Sequence, residues 1–109
     1  MANIDFQILF NKLKEEAIGL TTSTVKKYKT AACADLMNVL EDMKENLESW
    51  TIQLEEGKLS KEDFEFLVLG QKELIEMNAL KQAGVALIKA DELKNSLLNL
   101  IVNTVTSFL

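Results

Sequence analysis

Apolar residues recur every three or four positions along nearly the whole chain, the interval that gathers side chains on one side of a helix. In the first segment Phe6, Leu9, Phe10, Leu13, Ala17 and Leu20 keep this interval, with Asn11, Lys12, Lys14 and Glu15 opposite. The pattern predicts a helix from about Asn3 or Ile4 to about Ile18. Asp5 stands near its amino end, where a negative charge is favourable. Gly19 and the run Thr21, Thr22, Ser23, Thr24 are poor helix-interior residues, and Ser23 or Thr22 suits an amino-terminal cap. They favour a break or sharp bend here over a helix that runs through.

The second segment is the most regular. Val25, Tyr28, Ala32, Leu36, Val39, Leu40, Met43, Leu47, Trp50 and Leu54 step by threes and fours, predicting a helix from about Thr24 to Glu56. At about 1.5 Å per residue it would be roughly 50 Å long. Glu55 to Ser60 reads as a loop. Gly57 is placed to take the left-handed conformation that ends a helix, and Ser60 to cap the next, with Asp63 at the third position able to return the capping bond.

A third helix is expected from about Lys61 to about Lys89, dense in apolar residues from Phe64 to Ile88. A strand over Phe64–Leu69 is set aside because a cap precedes it and no partner strand is apparent. Ala79, Ala83, Gly84, Ala86 and Ala90 make part of this helix thin, and Gly70 and Gly84 are expected to mark a crossing or bend. Asp91 is placed to cap a fourth helix, about Glu92 to Phe108. A straight run from Lys61 to Phe108 is the competing reading.

The last fifteen residues, 95–109, carry no charge. Leu98, Ile101, Val105 and Phe108 form a seam, Leu97, Leu100 and Leu109 widen it, and Asn95, Asn99, Asn103 and Ser107 leave a narrow polar strip. A helix apolar over most of its circumference has to be covered. A buried strip of this kind would fix register between helices, as a buried Asn does in coiled coils.

These elements predict one all-α domain over residues 1–109: an antiparallel helical hairpin or up-down bundle of three to four helices. Helices one and four, folded back, reach only the open half of the hairpin, so Met43, Leu47, Trp50, Leu54, Phe64, Leu67 and Leu74 at the loop end stay uncovered. A large exposed apolar patch marks an interface, and twofold pairing needs only one self-complementary patch. The expectation is therefore completion by dimerisation.

Composition narrows the function classes. The 109 residues carry a net charge of −5, and all twelve basic residues are Lys. Net acidity and the lack of the guanidinium fork argue against nucleic acid. With no His and one Cys, the commonest general base, the commonest transition-metal ligand and any internal disulfide are all missing. The absence of Pro suits long helices. Neither a signal peptide nor a transmembrane run is evident, so a cytoplasmic protein is expected.

The candidate chemistry is thin. Glu41, Glu45, Glu48, Glu55, Glu73 and Glu76 resemble dimetal bundle sites only until the required Glu-x-x-His pairs are sought; a solvated acidic face is the better reading. Val25-Lys26-Lys27-Tyr28-Lys29 is a small basic knot, read as solvated surface. Cys33, flanked by alanines, reads as a small core residue, since no base is near to ionise it. Ser23 and its Thr neighbours lack a nucleophile motif. For 95–109, burial in protein outweighs a membrane interface, because surface-seeking helices usually carry Lys or Arg on the polar face.

The resulting expectation is a non-enzymatic protein-protein interaction or structural module without cofactor or metal, homodimeric or bound to a helical partner. The expected contact residues are Met43, Leu47, Trp50, Leu54, Phe64 and Leu67 at the loop end, and Leu98, Ile101, Val105 and Phe108 at the carboxyl end. The alternative is a small carrier holding a lipid-like ligand between its helices.

Overall fold

A computed structural model describes residues 5–24 and 26–109. These residues are helical with short connections, and no strand occurs among them. The elements are α1 (Phe6–Thr24), a 3-10 turn (Lys26–Tyr28), α2 (Lys29–Glu55), α3 (Lys61–Gly70), a second 3-10 turn (Gln71–Leu74), α4 (Asn78–Gln82) and α5 (Leu87–Ser107). The body measures 47 × 24 × 19 Å.

The first helix is longer than its glycine suggested. It starts where the Asp5 carboxylate accepts the N–H groups of Gln7 at 3.0 Å and Ile8 at 3.3 Å, two donors that lack an intrahelical partner. The expected start at Asn3 or Ile4 lies outside the described residues. α1 passes through Gly19 and the hydroxyl residues and ends at Thr24. Thr21 is buried, and its Oγ1 bonds back to the Ile18 carbonyl at 2.6 Å, so its polar atom is satisfied inside the helix. Tertiary burial of Ala17 and Thr21 outweighs a propensity loss of about 1 kcal/mol at Gly19. Thr22 and Ser23 are thus helix residues rather than caps. The break comes later, at the 3-10 turn, and α2 begins at Lys29 instead of Thr24.

The loop after α2 forms as its residues dictate. Gly57 has φ +73°, and the Lys58 and Gly57 N–H groups bond to the Gln53 and Leu54 carbonyls at 2.9 and 3.2 Å. These two bonds make the Schellman motif that terminates a helix. Ser60 Oγ accepts the Asp63 N–H at 3.0 Å and starts α3.

The expected third helix is not continuous. α3 stops at Gly70, and Ile75 takes an extended conformation after the 3-10 turn. α4 is only five residues long. It ends in a second Schellman motif, with Gly84 at φ +88°, Gly84 N–H on the Lys81 carbonyl at 3.2 Å and Val85 N–H on the Leu80 carbonyl at 3.1 Å. The next helix starts at Leu87, so Asp91 lies within α5 rather than capping it. Neither the break expected at Ala90–Asp91 nor the straight run from Lys61 to Phe108 is what forms.

α1 packs against both α5 and α2; α3 packs against α5, and α4 against α2. One core runs through all of them. Leu9, Leu13, Leu36, Leu40, Leu47, Phe64, Val68, Leu80, Leu93, Leu97, Leu98 and Ile101 are fully buried in it. The charge-free helix is therefore covered by α1 and α3 of its own chain. Its polar strip, Asn95, Asn99, Asn103 and Ser107, faces solvent and so sets no register inside the core. Thr104, on the buried side, donates to Glu16 Oε2 at 3.3 Å and ties α5 to α1.

Candidate interaction surface

The ten expected contact residues fall into two groups. Met43, Leu47, Leu54, Phe64, Leu98, Ile101 and Val105 are buried inside the single chain. Trp50, Leu67 and Phe108 are half-buried at its edge. Trp50 stands edge-on to Phe64, with ring centroids 6.4 Å apart, and joins α2 to α3. Lys12 Nζ sits 5.5 Å from the Phe108 ring centroid, a cation-π contact that holds the end of α5 to α1. The loop-end half of α2 is met by the amino end of α1, where Asp5, Phe6 and Gln7 lie beside Lys44, Glu48, Thr51 and Ile52, and by Phe64 of α3 against Trp50.

Surface apolar area lies elsewhere. Phe66, Leu74, Leu87 and Ile88 are 78, 75, 78 and 74% exposed, and Leu69 is also exposed. These five span the end of α3, the broken stretch and the start of α5; Ile8, Ile18, Ile52 and Leu109 are exposed outside them. A signal for two of the five was present in the sequence. Phe66 is out of phase with Phe64 and Val68, and Ile88 with Ala90, Leu93 and Leu97, once the buried stripe of each helix is known. A single helix over 61–89 would merge the two stripes, which the break at 71–77 keeps apart.

Two clefts flank the broken stretch. One, about 430 Å³, lies between it and α2; it is lined by Asp35, Asn38, Val39, Met43, Leu74, Ile75 and the carboxylates of Glu41, Asp42 and Glu76. The other, about 530 Å³, lies between it and α5, with Ile75, Met77, Val85, Leu87 and Ala90 on its walls and Lys81 and Lys94 beside them.

Asp35 is the functional-looking side chain that sequence reasoning missed. It is buried, and its two carboxylate oxygens accept the Ala79 N–H at 2.9 Å and the Leu80 N–H at 2.8 Å. Met77, the residue before α4, makes no side-chain cap bond. A residue on α2 thus supplies the cap that the local sequence lacks, and its charge faces the positive end of that short helix. Its only sequence signal is an acidic residue on the side of α2 that also carries Ala32, Leu36 and Val39.

The other singled-out groups are ordinary in position. Glu41, Glu45, Glu48, Glu73 and Glu76 are exposed, and Glu41 pairs with Lys14 of α1 at 3.1 Å. Among the described residues, no group of three or more His, Cys, Asp or Glu is placed to hold a metal ion. Cys33 is half-buried, with Sγ 3.5 Å from Thr21 Oγ1. Lys27, Tyr28 and Lys29 of the basic knot are exposed, and Val25 lies outside the described residues. Among the described residues no helix is long and apolar enough to cross a membrane. Comparison with known protein families, curated proteins and solved structures finds no match for this chain.

Proposed function

We propose that this chain is a non-enzymatic helical interaction module, cytoplasmic and self-associating through apolar helix faces. The observation that supports this reading is the run of exposed large apolar side chains at Phe66, Leu69, Leu74, Leu87 and Ile88. Solvent-exposed apolar residues are common singly; several along one stretch of a small domain are the usual mark of a contact surface. The helices pack α1 with α2, α2 with α4, α3 with α5 and α5 with α1, and in this reading a second copy adds to that packing at the exposed stretch. In this reading the contact surface is carried by residues 66–88 and edged by Leu67, while Leu47, Phe64 and Ile101 serve the core.

Sedimentation equilibrium over a wide concentration range tests it. Self-association that weakens when Phe66→Ser and Leu87→Ser are introduced supports the reading. A monomer at every concentration removes the homodimeric form.

A carrier reading is the alternative, supported by the larger cleft. Its apolar walls at Ile75, Met77 and Val85 suit a lipid-like ligand, while Lys81 and Lys94 are balanced there by Glu76 and Asp91, the latter paired with Lys94 at 3.9 Å. Copurified lipid seen by native mass spectrometry would favour it over self-association.

A further inference from the structure

Residues 71–86 differ from the rest of the molecule in how they are held. In this stretch only Ile75, Met77 and Leu80 are buried. Its one helix has five residues, far too few to be stable alone, since isolated helices are marginal below about 12–15 residues. It is undercut on both sides, by the cleft against α2 and by the cleft against α5. At its start, Lys94 Nζ reaches the Lys72 carbonyl at 3.4 Å. At its middle, Asp35 grips the first turn of α4 with both oxygens. At its end, Gly84 turns the chain into α5.

We infer that Asp35 is a latch and residues 71–86 a strap that detaches from α2 as one unit while α1, α2, α3 and α5 stay folded. The parts fit a local opening rather than a frayed end. Regions with few buried side chains open at lower free energy than the global transition, in cooperative segments. Both ends of the strap are fixed, by α3 and by α5, so it can lift without unravelling its neighbours. What it uncovers is apolar: its own Ile75, Met77 and Leu80, and the Val39 and Met43 side chains of α2. The opened chain therefore presents more greasy surface next to the already exposed Leu74 and Leu87. The inference is independent of self-association, since it concerns one molecule.

Hydrogen exchange on the full chain, followed amide by amide at rising urea below the unfolding transition, tests it. The Ala79, Leu80, Ala83 and Val85 amides should exchange together, with weak dependence on urea, while amides of Leu97 to Ile101 exchange only through global unfolding. Asp35→Asn keeps the shape but turns a donor toward one of the two N–H groups. It should speed the strap amides by about tenfold, equivalent to about 1.4 kcal/mol, and leave the α5 amides unchanged. Strap and α5 amides that share one urea slope and one rate overturn the inference, and so does an Asp35→Asn effect that is equal everywhere. Should Asp35→Asn not fold, the urea series on the unaltered chain decides alone.

Discussion

Two glycine turns interrupt the helices of this protein, at Gly57 and at Gly84, and both close with the same pair of backbone bonds. Their surroundings differ. Around Gly57 the chain writes its own instructions: Lys58 follows, then Ser60 to start the next helix. Around Gly84 only the glycine itself does so. Ala83, Val85, Ala86 and Leu87 are all compatible with a continuing helix, and Ala86 offers no side-chain cap to α5. The turn itself closes with local bonds, but the five-residue α4 that leads into it is capped by an α2 carboxylate 44 and 45 positions earlier in the chain. A turn between two long helices forms part of the rigid body; a turn after so short a helix depends on whatever holds that helix.

The largest effect should come from the first region. Phe64 is fully buried at the start of α3, and Phe64→Ala should cost about 3–5 kcal/mol in urea-unfolding free energy, the usual range for emptying an aromatic core position. A loss under 1 kcal/mol would show that the loop end is not part of the cooperative unit.

In the second region Leu80 is just as buried, and an ordinary core site would lose about 2–5 kcal/mol as alanine. A strap that can detach caps that loss at the free energy holding it shut. Leu80→Ala and Asp35→Ala should therefore each fall short of the core range, and the double variant should cost clearly less than the sum of the two. Additive losses would put the strap within the global unit, since distant independent sites add and coupled ones do not.

The glycines give a smaller and better matched test. An added Cβ meets nothing within 4 Å at either position, so the cost of alanine is backbone strain alone, about 1–2 kcal/mol. Gly57→Ala should show all of it in global stability, and Gly84→Ala less. Smallest is Ser60→Ala, expected to remove about 1 kcal/mol with its cap bond. An equal response at Gly84 and Gly57 would erase the contrast.

These differences also explain what the sequence could reveal. The all-helical class, the Gly57 turn and the Ser60 cap follow from residues within one or two helical turns of each other, and periodicity reads such distances well. The length of α1 was not readable, because burial of Thr21 and its bond to the Ile18 carbonyl overrule Gly19 and the β-branched run. The break at 75–77 was not readable either: Leu74, Ile75, Met77 and Leu80 keep a helical spacing, and nothing nearby announces the Asp35 bonds. The contact residues chosen from periodicity were the most apolar stripes, and the fold places the deepest of them, Leu47, Phe64, Leu98 and Ile101, inside one chain. The apolar residues left outside, Phe66 and Ile88, stand out only against the stripe that each helix buries.

The edge-on contact between Trp50 and Phe64 has a practical side. The chain contains a single tryptophan, so its intrinsic fluorescence comes from one place, the junction of α2 and α3. Emission should track collapse of that junction and stay constant while residues 71–86 lift. A probe dye attached near Gln82 would respond to the lifting instead. Two optical melting curves from one sample, one native and one labelled, would then separate in temperature by the amount that the two regions differ in strength.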